Sequence, residues 1–261
     1  MPVLHQCHKV ATALGDLYAE SWTPQASSLS RLDPLVLLHD SLGCVALWRD
    51  FPEQLAQTTH RQVIAYDRRG FGRSTPRADR LPFSFVTDEA HDSFAAILEY
   101  FALTSFAVLG HSVGGGMAIG CAAAHPKRCS AVVTLAAQSF VEPKTLEGIR
   151  QAQVYFSQSE PFKRLTHHHG PQASWVLSAW LDTWLEPAFL DWQLDSSLAA
   201  VSCPGLFIHG EQDPYGSTEQ AKRISRQSAG SSTLRLIEEC GHNPHRERTQ
   251  QVLSDIQEFL A

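Results

Sequence analysis

Phe106-Ala107-Val108-Leu109 runs straight into Gly110-His111-Ser112-Val113-Gly114, and that into Gly115-Gly116-Met117-Ala118-Ile119-Gly120-Cys121-Ala122-Ala123-Ala124. A short, wholly apolar run reads as a strand buried on both faces, and the longer small-residue run reads as a helix. Between them G-x-S-x-G fits a strand-to-helix turn so tight that only small residues can flank the serine. Such a turn lifts the serine oxygen off the C-terminal edge of a sheet. It also sets that oxygen over a helix N-terminus, where negative charge is favoured. The motif therefore predicts a parallel sheet with helices packed on it, and Ser112 as a nucleophile.

A nucleophilic serine needs a base, and the base needs an acid to orient it. For elbow serines the chain order is serine, acid, histidine. Leu206-Phe207-Ile208-His209-Gly210 reads as a buried strand, followed by Glu211-Gln212-Asp213-Pro214 in a turn. A strand over 232–237 leads to Cys240-Gly241-His242-Asn243-Pro244-His245. Asp213 is the expected acid, with Glu211 as the alternative two residues nearer the strand. His242 is the expected base, because His245 follows a proline and falls at the start of the last helix. All three positions follow strands at one sheet edge, where ligands of open α/β sheets collect.

The rest of the chain alternates strands with helices, which predicts an α/β fold with a doubly wound, mostly parallel sheet. A hairpin is expected over 9–13 and 17–22 with its turn at Gly15-Asp16, and helices over 45–57, 87–101 and 244–260. Residues 139–200 break the alternation. They hold Trp175, Trp180, Trp184 and Trp192, and prolines cut them into short helical pieces. His167-His168-His169 reads as a solvated loop, since consecutive residues do not converge on one ion; no metal and no cofactor are expected.

Composition narrows the partners. Lys and Arg number 21 against 27 Asp and Glu, a net charge of −6, with no basic run to suggest nucleic acid. No signal peptide is evident and no window approaches the apolar length of a transmembrane helix, so neither a membrane nor secretion is expected. The 6 cysteines are scattered without a C-x-x-C pair, which suits reduced thiols and a cytoplasmic site.

The elbow, the ordered trio and Asp67-Arg68-Arg69-Gly70-Phe71-Gly72-Arg73-Ser74, which matches D-x-R-G-x-G-x-S, together resemble the α/β-hydrolase superfamily in its esterase-like branch. The resemblance extends from about residue 10 to the C-terminus. It implies a core over residues 1–138 and 201–261, with residues 139–200 as a helical cap inserted after the sixth strand. Asp67 and Arg68 would pin their loop without entering the chemistry. Serine at position 112 sets aside the branches with an aspartate nucleophile. The resemblance also places oxyanion-hole donors on the backbone N–H groups of Ser41 and Val113. Here His39-Asp40-Ser41 departs from the usual His-Gly-x. A carboxylate aimed into such a hole would oppose catalysis, so Asp40 is expected to point away.

Those features imply a hydrolase of a small, mainly apolar ester or thioester, with a small-molecule substrate. The substrate pocket is expected to draw on His111, Trp48, Trp175, Trp180 and Trp184. Two other readings share the fold: C–C bond hydrolysis of a ring-fission product or cofactor-free oxygenation with the same histidine as base, and a non-enzymatic receptor.

Overall fold

The computed structural model describes residues 2–25 and 32–261. Its strands are β1 (Val3–Thr12), β2 (Gly15–Pro24), β3 (Leu35–Leu38), β4 (Val63–Tyr66), β5 (Phe106–His111), β6 (Cys129–Leu135), β7 (Gly205–Gly210) and β8 (Ser232–Ile237). They form one sheet in the order β1-β2-β4-β3-β5-β6-β7-β8. β1 and β2 pair antiparallel, as do β2 and β4, and every later pairing is parallel. The helices are α1 (Phe51–Thr59), α2 (Phe85–Asp88), α3 (Ser93–Tyr100), α4 (Val113–Ala124), α5 (Pro143–Phe156), α6 (Ser159–His169), α7 (Ala173–Trp184), α8 (Asp195–Ala200), α9 (Glu219–Gln227), α10 (Pro244–Glu247) and α11 (Thr249–Leu260).

Period-two side-chain alternation explains why the central strands are apolar throughout. On β3, Leu35 and Leu37 face the layer that contains Phe51, Leu55, Val252 and Ile256. Val36 and Leu38 face the opposite layer, with Phe94, Met117 and Ile119. Helices thus cover both faces, as a doubly wound sheet requires. A smaller cluster of Phe71, Leu165, Ala173 and Val176 joins α6 and α7 to the loop after β4.

Four expected elements differ in detail. The hairpin turn is Ala13-Leu14, not Gly15-Asp16, and Thr12 pairs with Gly15. Thr12 Oγ1 accepts the Leu14 N–H and donates to the Gly15 carbonyl, which closes the turn earlier. The helix expected over 45–57 is a 3₁₀ turn, Val45–Trp48, followed by α1, because Arg49 adopts φ 56. The helix expected over 87–101 is split into α2 and α3. Phe94 N–H reaches back to Glu89 O, five residues rather than four, so the ladder slips. The last helix is broken at Arg248, whose ψ of 44 is not helical.

Glu89 turns inward at that slip and accepts the Tyr66 hydroxyl at 2.6 Å. Burial raises its carboxyl from 4.5 to about 7, against the opposing pull of Arg68. Between those values the folded protein binds more protons than the unfolded chain. This group's contribution to stability therefore falls as pH rises from 4.5 to about 7, and is level above that. Glu89→Gln, which keeps an acceptor for Tyr66, should flatten that part of the profile, worth up to about 3 kcal/mol. Melting temperatures of both proteins from pH 4.5 to 8 measure it; parallel curves would refute it.

Candidate active site

Ser112 is the only residue between β5 and α4. Its backbone is held at φ 56, ψ −125, a conformation L-residues rarely adopt and one that persists only under constraint. The constraint is visible in its neighbours. A Cβ on Gly110 would stand 1.9 Å from the Gly114 carbonyl oxygen, and one on Gly114 would stand 2.3 Å from the Leu38 carbonyl oxygen. Glycine at both positions lets β5, α4 and β3 meet closely enough to thrust Ser112 outward.

The three side chains expected from the sequence converge. Ser112 Oγ lies 3.0 Å from His242 Nε2. His242 Nδ1 lies 2.8 Å from Asp213 Oδ2. Nδ1 therefore carries the proton it donates to the carboxylate, and Nε2 is free to accept from the serine. Asp213 is wholly buried, and its other oxygen accepts the Tyr215 N–H at 2.8 Å. Burial pushes the Asp213 pKa up, but the field and hydrogen bond of His242 outweigh it, with a net shift downward. Glu211, the alternative acid, is exposed. The His242 loop is clamped from outside by Glu247, whose carboxylate accepts the N–H groups of Gly241 and Asn243. From beneath, His111 Nε2 donates to the His242 carbonyl at 2.7 Å.

Ser112 and His242 open onto a cavity of about 490 Å³, also lined by Leu42, Ile149, Phe156, Trp180 and Trp184. Ser41 and Val113 line a narrow crevice beside it. As the first residue of α4, Val113 has no intrahelical acceptor for its N–H. Asp40 and Ser41 also line the cavity, and the Asp40 carboxylate, expected to point away, stands on that wall with both oxygens engaged by protein groups. One oxygen accepts the Leu42 N–H at 2.9 Å, and the other faces His111 Nδ1 at 3.2 Å. Burial works to raise its pKa, but the hydrogen bond and charge of His111 prevail and hold it well below the usual carboxylate range.

Three expected pocket residues are elsewhere. Trp48 is buried against Phe51 and His245, behind His111. His111 lies under the His242 loop and not on the cavity wall, because both its nitrogens face acceptors in the protein. Trp175 packs edge-on against Phe71, its indole N–H donating to the Asp79 carbonyl. Within α7, sequence spacing could not separate Trp175 from Trp180 and Trp184, since only the helix rotation decides which side faces the serine. The histidine run is likewise not a loop: it forms the last turn of α6, and His169 is buried. His169 Nδ1 accepts the Gly72 N–H and Nε2 donates to the Leu42 carbonyl, tying α6 to two loops. Among the described residues, one group could converge on a metal, the surface set His5, Cys7 and Glu20.

Sequence reasoning missed Gln138 and Tyr215. Gln138 lies 3.2 Å from Ser112 Oγ, and Tyr215 packs edge-on against the His242 ring at 4.8 Å between centroids. Each stands just past a strand end at the serine's edge of the sheet, a position that could have flagged both.

This architecture has a known family. The model of the α/β hydrolase fold family matches residues 33–195, and the chain belongs to that family. Among curated relatives, the mouse (Mus musculus) serine hydrolase BPHL is 26% identical over 223 residues, covering 81% of this chain and 74% of that protein. A proline iminopeptidase of Lactobacillus helveticus is 26% identical over 272 residues, covering 88% and 90%. Among solved structures, carboxylesterase CesB of Bacillus subtilis superposes with a TM-score of 0.70 at 20% identity, over 100% of this chain and 93% of that one. Its likeness is one of fold. No helix among the described residues is long and apolar enough to cross a membrane.

Proposed function

We propose that this protein is a serine hydrolase that cleaves a small, mainly apolar carboxylic ester or thioester, without a cofactor and in the cytoplasm. The observation that carries the reading is the hydrogen-bonded chain Ser112–His242–Asp213 opening on a cavity with aromatic walls. In this reading Ser112 Oγ attacks the carbonyl carbon while His242 Nε2 takes its proton. The bond to the leaving alcohol or thiol then breaks, and that group departs with the same proton. Water next attacks the acyl-serine, giving its proton to His242, which returns it to Ser112 as the acid is released. Asp213 holds the imidazole in the required tautomer and stabilises its charged form. The N–H groups of Ser41 and Val113 receive the oxyanion, a contribution of about 3–4 kcal/mol per donor in mutational precedent.

A small fluorophosphonate tests the reading without knowledge of the substrate. It should label the native protein at Ser112, located by peptide mapping. An unlabelled serine in folded protein would refute it.

Residues 139–200 act in this reading as a cap that selects the acyl group. Trp180 lines the cavity and meets Tyr215 edge-on, whereas Trp175 contacts Phe71 and not the cavity. Trp180→Ala should change kcat/KM by different factors along a series of acyl lengths, since each methylene removed from water is worth about 0.8 kcal/mol. Trp175→Ala should lower the melting temperature and leave the preference unchanged. Equal chain-length profiles for both variants and the parent would remove Trp180 from the specificity wall.

A further inference from the structure

Arg68 is almost fully buried and is absent from the cavity wall, yet its guanidinium is directed at the turn that carries Ser41. Its Nη2 donates to the Asp40 carbonyl oxygen at 2.8 Å. His39 Nδ1 donates to the same oxygen at 2.8 Å. The His39 tautomer is settled by its other nitrogen, Nε2, which accepts the Arg68 backbone N–H at 3.2 Å. The Gly43 N–H is a third donor to this carbonyl, at 3.2 Å.

That carbonyl belongs to the peptide bond whose nitrogen is Ser41. The bond is trans, so its N–H points opposite to its C=O. With the oxygen held by Arg68 and His39, the Ser41 N–H is turned away from them. It finds no hydrogen-bond acceptor among the described residues. Ser41, Val113 and Arg68 border the same crevice beside the cavity. A charged donor on a peptide oxygen draws electron density from the N–H at its other end, because hydrogen bonds in series polarise one another. Charge-assisted bonds do this most strongly, and arginine keeps its charge when buried.

We infer that Arg68 is a positioning residue for the oxyanion hole: through the Asp40 carbonyl it aims the Ser41 N–H and strengthens it as a donor. The same charge offsets the Asp40 carboxylate, which stands on this turn. His39 fixes direction only, because burial and then the neighbouring Arg68 hold its pKa well below the usual histidine value and leave it neutral. The inference rests on the serine-hydrolase reading, and it gives a buried charge in the D-x-R-G-x-G-x-S loop a part in the chemistry.

The experiment compares the parent with Arg68→Met, which removes both charge and donor, and Arg68→Gln, which keeps a neutral donor. Hydrolysis of p-nitrophenyl acetate is measured at pH 8, normalised to active enzyme by fluorophosphonate titration. Removing a whole oxyanion donor costs about 10²–10³ in kcat, so weakening one should cost about tenfold in Arg68→Met, with KM within about twofold. Affinity for a trifluoromethyl ketone, which forms an oxyanion on Ser112, should fall by the same factor. Arg68→Gln should fall between, and the Ser41 amide ¹⁵N resonance should move in both variants. A merely structural arginine would lower the melting temperature and the titratable fraction, but leave kcat per active site and the ketone affinity unchanged; that outcome overturns the inference. If Arg68→Met does not fold, Arg68→Gln with parental kcat and an unmoved Ser41 resonance overturns it equally. A parent that neither hydrolyses the ester nor takes the label refutes the hydrolase reading itself and, with it, this role.

Discussion

Ser112→Ala should lower kcat for ester hydrolysis by about a millionfold, the loss seen when a triad nucleophile is removed, and should abolish fluorophosphonate labelling. The fold should survive. The substitution removes one oxygen, whose partners are His242 Nε2 at 3.0 Å and Gln138 at 3.2 Å, and it adds no bulk. Alanine must still adopt φ 56, which it does no more readily than serine, but the glycines on either side continue to allow the turn. Circular dichroism and the melting temperature report on the fold, and stopped-time product assays on the residual rate. Retention of more than about a tenth of parental kcat would exclude Ser112 as nucleophile, since no partial role in this mechanism leaves so much activity.

Asp213→Asn should cost about 10⁴ in kcat with little change in KM. An asparagine amide can present its NH₂ to His242 Nδ1, which moves the ring proton to Nε2. The nitrogen facing Ser112 at 3.0 Å would then be a donor and could not take the serine's proton. Burial makes the site severe, because Asp213 has no solvent to replace the lost charge. Glu211→Gln, at an exposed position with no part in the hydrogen-bonded chain, should stay within about twofold. Rates across a pH series for both variants decide the matter. A larger loss in Glu211→Gln would mean that the acid is the other carboxylate.

The trio was legible because each member is announced locally. Ser112 lies between an apolar run and a small-residue run, and Asp213 and His242 each follow a strand signal. Elements of an open parallel sheet begin and end on fixed edges, so chain order alone brought the three to one edge. Element boundaries were less legible. The break between α2 and α3 coincides with Glu89 meeting Tyr66, and the break at Arg248 accompanies a Glu247 carboxylate that turns back on the His242 loop. The partners of the first contact stand 23 residues apart, beyond the window in which a helix or strand pattern is read.

Short-range periodicity and backbone chemistry, both readable along the chain, account for the strands buried on both faces, the glycine-flanked turn and the order of the three polar residues along one edge. Side-chain direction across long separations became fixed only when the elements packed together. Trp180 faces the cavity while Trp175 faces Phe71, although one helix carries both. His111 lies beneath His242 rather than beside the substrate space, and His169 is a buried tie between loops rather than a solvated end. Arg68 reaches the Asp40 carbonyl, 28 residues away in the chain. A hydrogen bond or a ring contact is settled within a few tenths of an ångström and a few tens of degrees. Sequence spacing fixes the rotation of a helix face far more coarsely, so these partners became visible only once the elements had packed.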